Sequence, residues 1–499
     1  MWRPTRSGDT TIRHTPGRLQ GRRRRPQARY QATPLTRPST ACGWTPSALT
    51  TWSASSEQPR LGQTGPVTTS PRPDARSRPV PRQLLPDTAE TDGDGSLLIG
   101  GCRVVDLAEE FGTPLFVYDE AHLRARCQEA IAAFDGKVAY ASKAFLCRAM
   151  AKLAYEEGMS IDVATGGEYG IARAAGVPAA SLVFHGNNKS GVELNMALRD
   201  GVGRVVVDSF DELDRIEALV ADGAPAPRVL IRVNPGIEVH TLDEVATGVP
   251  DSKFGFPLAA GDAERALARA GGSGAMELVG THIHIGSQVF SAANFADALA
   301  TLGPTVRGWG LDEFVVGGGL GVPYVTGEEA PTITQWAAGI RRACDELGIT
   351  AAVSAEPGRS IAAAAGITVY RVGTIKEIEG VRTYVAVDGG MSDNPRPVLY
   401  GSGYETFLPR SVAAERPRTI TLVGKHCESG DKLVVDGAVP DDLMVGDVIA
   451  TPVTGAYGQS MGSNYNKVLR PPVVFVADGD ARLVVRRETL EDLLATDVG

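Results

Sequence analysis

Residues able to do covalent, acid–base or anion-binding chemistry recur in this chain directly after short apolar runs. Tyr140-Ala141-Ser142-Lys143-Ala144 offers an amine among apolar neighbours. Such a lysine is ordinarily one that snorkels to solvent. If half-buried, it has a lowered pKa and can form a Schiff base with an aldehyde cofactor. Gly317-Gly318-Gly319 presents successive backbone N–H groups able to cradle a phosphate, with Gly286 and Ser287 as further donors. Glu356, in Glu356-Pro357-Gly358-Arg359, is either the ion-pair partner of Arg359 or a carboxylate that keeps a pyridine nitrogen protonated. The second role makes the ring an electron sink, which decarboxylation needs. His284 is either a satisfied core histidine or a ring that stacks on the cofactor face. His282 and His284 share a strand face, but no third ligand sits at a recognisable spacing, so no metal is expected. No HExxH, P-loop or GxSxG motif is present.

These groups need a scaffold that brings strand ends together. Eight short β-branched or apolar runs alternate with helical stretches: Val138–Lys143, Ser160–Thr165, Leu182–His185, Arg204–Asp208, Val229–Val233, Leu278–His284, Glu313–Val316 and Ala352–Ala355. Helices are expected over Arg148–Glu157, Gly191–Arg199, Phe210–Val220, Asp262–Ala270 and Ile333–Leu347. The alternation implies a parallel sheet, and eight units fit a (β/α)8 TIM-type barrel in an α/β chain. In such a barrel the active site lies at the C-terminal strand ends, where Lys143, Asp162, His185, Asp208, Arg232, His284, Gly317 and Glu356 all fall. After about Ala365 the rhythm changes. Ile367–Val372, Thr383–Val387, Thr419–Val423 and Val473–Val476 read as strands of a second, all-β domain. The expected division is a tail over 1–86, joining strands over 87–120, a barrel over 121–365 and a β-domain over 366–499.

The 499 residues carry a net charge of -9, unevenly spread. Residues 1–86 hold fifteen Arg, including Arg22–Arg25, against Asp9, Glu57 and Asp74, a net of +12 that leaves -21 on the rest. The first stretch is rich in Arg, Pro, Ser and Thr without apolar period, so disorder is expected there. It reads as a solvated tail or as sequence upstream of the true start, with organelle import a minor alternative. The acidic body gives no basis for nucleic-acid binding. No run of apolar residues is long enough to cross a membrane. The six cysteines are scattered, with no CxxC, which suits a reducing cytoplasm.

Together, Tyr140–Ala144, His185–Ser190 (HGNNKS), His284–Gln288 (HIGSQ), Gly317–Tyr324 (GGGLGVPY) and Glu356–Arg359 resemble the group III pyridoxal-phosphate decarboxylases. The resemblance runs in order from about Ser96 to Val476. Within that group, Asp388–Tyr400 (DGGMSDNPRPVLY), Cys427–Asp431 (CESGD), Gly455–Tyr457 and Met461–Asn466 (MGSNYN) are similar to the diaminopimelate decarboxylase family. The resemblance implies a carboxy-lyase that uses pyridoxal 5'-phosphate to convert meso-2,6-diaminopimelate to L-lysine and CO2. It implies that Lys143 carries the cofactor, and that Asp162, His284, Gly286, Ser287, Gly317, Gly318, Gly319, Glu356, Arg359 and Tyr457 surround it. It implies that Arg359, Arg396, Tyr400, Glu428 and Tyr457 bind the substrate. Cys427 is implied as proton donor, and Cys427 and Glu428 as contributions from the other subunit of a homodimer.

The chemistry fits these assignments. Diaminopimelate has an amino-acid group at each end, and only one must react. Arg396 can grip the distal carboxylate in bidentate fashion and Glu428 can pair the distal ammonium. An enzyme of the same fold acting on ornithine, arginine or carboxynorspermidine is the nearest alternative, but a cationic distal group does not want Arg396. A racemase would be better served by a cation facing the pyridine nitrogen than by Glu356. A regulator without activity is disfavoured by intact Lys143, Glu356 and Cys427. Two departures from the family pattern are Phe145, where Asn is common, and the altered stretch Asn466–Pro471.

Overall fold

The computed structural model describes residues 78–236, 251–290 and 292–499. The expectations for residues 1–77, including Arg22–Arg25 and Cys42, lie outside them. The stretch from Arg78 to Pro86, assigned to the tail, differs from expectation: Val80, Leu84 and Leu85 are buried in the core. Three apolar residues in six are enough to dock a segment that composition averages over 86 residues as polar. Arg416 holds its start by donating to the carbonyls of Arg78 and Pro79.

Eight parallel strands follow one another in chain order around a barrel: Ala139–Ala141, Ser160–Val163, Leu182–Phe184, Arg204–Val207, Arg228–Asn234, Glu277–Ile283, Glu313–Val315 and Ala352–Ser354. The ring closes between first and last, where Val138 bridges Ala355 and Ala139 N donates to Ala355 O at 3.0 Å. Each strand was foreseen to within a few residues. Strand alternation decides what faces inward. Val205 and Val207 join the outer core while Val206 packs with Leu230, Val279 and Val315 in the barrel interior. The same parity turns Ile161, Val163, Phe184, Ile231, Val233 and Ala355 outward. Asp162, His185, Arg232 and Glu356 therefore point in. On the sixth strand a register shift between Leu278 and Gly280 resets the parity, so that Ile283 and Ile285 go outward and both His282 and His284 go inward.

Helices cover the outside. Ile333–Glu346 is set by a Thr332–Gln335 capping box and buries Trp336 completely, between the rings of Phe134 and Phe295. Phe295, Leu299, Leu302 and Val306 mark the apolar stripe of Ala292–Trp309, a helix the sequence reading passed over. The helix Glu120–Ala133 was also missed.

A second sheet is built on Gly366–Ile378. This strand pairs with Arg382–Val387, Leu115–Asp119 and Val448–Thr451; Val473–Ala477 lies beyond Leu115–Asp119. Lys432–Val439 and Asp480–Val485 form its edges and were not foreseen. Where the sheet meets the barrel, Phe145 stacks on Tyr118 with centroids 4.2 Å apart, and Tyr118 Oη donates to Gly455 O. The departure at Phe145 thus adds an aromatic contact between the two layers. Among the described residues no helix is long and apolar enough to cross a membrane.

Candidate active site

The inward side chains and the loops that follow them enclose a cavity of about 220 Å³ at the C-terminal strand ends. Its wall includes Lys143, Asp162, His185, Arg232, His284, Ser287, Gly318, Gly319, Glu356, Arg359 and Tyr457. The amine from the start of the barrel and the acid from its end therefore share one hollow. Lys143 sits in the 3-10 turn Ser142–Ala144 just past its strand, and for that reason it is exposed on the wall rather than half-buried.

Glu356 is clamped. Its Oε1 lies 3.0 Å from His185 Nε2 and its Oε2 3.0 Å from His282 Nε2. Burial would push this carboxyl up, but the two imidazoles outweigh burial and hold it well below the usual carboxylate range. His282 is pushed down to about 4 by burial, and a neutral ring with its proton on Nε2 would donate to Glu356. For His185, burial is outweighed by Asp162 and Glu356, and its pKa rises. Asp162, 3.5 Å from His185, is raised to about 7 by burial, against the pull of His185. The ligand atoms of His185, His282 and Glu356 lie within 4.8 Å of one another. His282 is hydrogen-bonded to Glu356, and His185 lies at ion-pair distance from it. His284 Nδ1 accepts from Gly318 N at 3.2 Å, and burial holds its pKa well below the ordinary value. A neutral ring with its edge fixed is suited to lie against a flat heterocycle.

The glycine cradle cannot be built from other residues. A Cβ on Gly318 would sit 2.3 Å from Glu356 O, and one on Gly319 2.3 Å from Gly286 O. Gly317 and Gly319 also take φ of +66° and +109°. Beside the cradle, Arg359 donates from Nη2 to Ser287 Oγ at 2.9 Å and from Nη1 to Tyr324 Oη at 2.6 Å, and lies over the Tyr457 ring. Its Nε is buried and has no hydrogen-bond partner among the described residues. An orphaned cationic donor beside three glycines fits a phosphate, and Glu356 across the hollow fits a pyridine nitrogen. The donor set therefore fits pyridoxal 5'-phosphate.

Arg396 begins the short helix Arg396–Tyr400 and is buried. It donates to Tyr404 Oη at 3.2 Å and Ser402 Oγ at 3.0 Å and lies 4.3 Å from the centroid of the Tyr324 ring. Among the described residues no carboxylate lies within ion-pair distance of Arg396 or Arg359. Tyr400 closes the same helix but does not line the cavity. Cys427 and Glu428 are exposed in the loop after Arg418–Val423, also outside the cavity. Asn466 Oδ1 accepts from Cys427 N, and Tyr465 Oη lies 3.4 Å from Glu428. His426 and Asp431, paired at 2.9 Å, are buried beneath this loop and brace it. The sequence reading did not assign roles to His185, His282, Arg232 or Tyr324. Strand parity would have found the first three, since each alternates with an outward apolar residue.

The family "Pyridoxal-dependent decarboxylase, pyridoxal binding domain" matches residues 120–363. The chain is 44% identical over 431 residues to the diaminopimelate decarboxylase of Bacillus subtilis (strain 168), covering 83% of this chain and 98% of the relative. It is 46% identical over 414 residues to that of Actinosynnema pretiosum subsp. auranticum, covering 81% and 93%. Among solved structures, the diaminopimelate decarboxylase of M. jannaschii in complex with L-lysine superposes with a TM-score of 0.76 at 32% identity, covering 83% of this chain and 98% of that one.

Proposed function

This chain belongs to the diaminopimelate decarboxylase family of pyridoxal-dependent decarboxylases, and from that membership we propose how its residues divide the work. The enzyme decarboxylates meso-2,6-diaminopimelate to L-lysine and CO2 with pyridoxal 5'-phosphate, the last step of lysine biosynthesis. When bound, the cofactor supplies the electron sink that takes up the pair left by departing CO2.

Lys143 holds the cofactor covalently. Gly286, Ser287, Gly317–Gly319 and Arg359 would hold its phosphate, and His284 and Tyr457 would line the cavity that takes its ring. Glu356 keeps the pyridine nitrogen protonated, and His185 and His282 keep Glu356 anionic for that task. Asp162 supports His185 from the other side. Arg396 binds the distal carboxylate, with Tyr400 near it, and Arg359 and Tyr457 complete the substrate pocket. The observation that carries the substrate assignment is the buried Arg396 guanidinium, which among the described residues meets neutral oxygens and aromatic rings and no carboxylate. A buried cation without an anion is costly, and a substrate carboxylate relieves that cost. Ornithine or lysine has none to offer at that end.

Cys427 protonates the carbon that has lost CO2, and Glu428 pairs the distal ammonium. Both are exposed and outside their own chain's cavity, which supports a homodimer in which each subunit completes the other's site. The barrel spans 121–365 and the β-domain 366–499 with Leu115–Asp119 inserted. We place the enzyme in the cytoplasm, where its free cysteines stay reduced.

The test is incubation with meso-diaminopimelate, monitoring CO2 and L-lysine, with ornithine, arginine and lysine as controls. Turnover of diaminopimelate alone is expected. Lys143→Ala should abolish both turnover and the visible absorbance of bound cofactor; a persisting band would put the attachment elsewhere.

A further inference from the structure

Tyr324 touches both unneutralised arginines of the site. Its hydroxyl accepts from Arg359 Nη1 at 2.6 Å, while its ring face carries the Arg396 guanidinium at 4.3 Å from the centroid. Tyr404 packs edge-on against the same ring, with centroids 5.2 Å apart and an interplanar angle of 84°, and its own hydroxyl accepts from Arg396. Tyr324 is buried. Its backbone is pinned as well. Tyr324 N donates to the Glu328 carboxylate at 2.8 Å, and Thr326 two residues on donates to Glu405, which pairs with Arg416.

Two like charges in one buried wall repel, and this phenol touches both of them. A phenol is rigid from ring face to hydroxyl. It accepts at one end and offers its quadrupole at the other, so it binds two cations at a fixed offset. We propose that Tyr324 is a positioning residue that fixes the gap between the Arg359 anion site and the Arg396 anion site, and thereby selects the chain length of the diacid substrate. The proposal rests on the substrate assignment above. A diamino diacid one methylene shorter or longer than diaminopimelate would place its distal carboxylate off the guanidinium plane, where bidentate pairing is lost.

Two variants separate the two ends of the phenol. Tyr324→Phe keeps the ring under Arg396 and removes the hydroxyl that accepts from Arg359. Its cofactor dissociation constant, read from visible absorbance, should rise about tenfold or more, as for loss of a hydrogen bond to a charged group. Its KM for diaminopimelate should move much less. Tyr324→Leu removes both contacts. Its KM should also rise about tenfold, and its preference in kcat/KM for 2,6-diaminopimelate over 2,5-diaminoadipate and 2,7-diaminosuberate should shrink by a similar factor. A purely structural role would lower kcat with all three diacids alike and leave their ratio intact; that result overturns the proposal, as does a Phe variant with unchanged cofactor affinity. Failure of the substrate assignment looks different: the wild-type enzyme itself would then turn over none of the three diacids, and the proposal would fall with it.

Discussion

At the scale of single residues, charge state matters more than identity. Arg396 is buried among Tyr404, Ser402 and Tyr324, and supplies a full positive charge to whatever anion arrives. Arg396→Ala should therefore raise KM for diaminopimelate roughly a hundredfold, the order expected for a lost buried charge-assisted pair. Cofactor absorbance should stay near wild type. Parallel loss of both would mean that Arg396 shapes the cofactor cavity rather than the substrate pocket. Asp162 gives a pH signature. Burial raises it to about 7 from an ordinary 3.8. The folded protein thus retains a proton that the unfolded chain releases, so the stability linked to Asp162 is full below 3.8 and is lost as pH rises through about 7. In the cofactor-free protein, Asp162→Asn should gain Tm relative to wild type as pH rises from about 4 to 8. A difference that stays flat across that range would show that Asp162 ionises normally.

At the scale of elements, the loop after the third strand is secured from below. Lys189 Nζ donates to the carbonyls of Gly186 and Val206 and pairs with Glu212 at 2.6 Å, and both charged side chains are buried. Removing one partner strands the other charge, so Lys189→Met should cost about 3–5 kcal/mol in denaturant unfolding. Adding Glu212→Met should return much of that loss. If the double variant is as unstable as the single, the lysine acts through its carbonyl contacts and not through the pair. This is also where the sequence was most and least legible. Strands such as Arg204–Val207 announce themselves by β-branched runs, and their order alone implies the barrel. Edge strands such as Lys432–Val439 do not, because exposed Val435 and Asp436 fall side by side and Gly437 follows them, which breaks the alternation. Ala292–Trp309 was hidden by its many small residues and internal Gly303 and Pro304, although tertiary packing keeps it helical. In the site, the motifs pointed to Lys143, the glycine cradle and Glu356, but the clamp on Glu356 joins strands three, six and eight. No local spacing encodes such a contact; only inward parity on a closed barrel does.

At the scale of the whole molecule, the proposed proton donor Cys427 lies outside the cavity of its own chain. Lys143 lies on the wall, whereas Cys427 and Glu428 are exposed on a loop stiffened by the buried His426–Asp431 pair and the stacked Tyr465. A stiff exposed loop that presents a thiol and a carboxylate suits insertion into a second copy. Shared sites make a quantitative forecast. Lys143→Ala and Cys427→Ala homodimers should each be nearly inactive in turnover. Mixed and allowed to exchange subunits, half of the dimers become hybrids, and each hybrid carries one site with both defects and one with neither. Activity should therefore recover to about one quarter of wild type, the limit set by random pairing. Recovery should depend on the exchange time and on protein concentration, as subunit exchange does. If the mixture stays inactive while native mass spectrometry shows hybrids forming, Cys427 serves its own chain's cavity, and the loop must move to reach it.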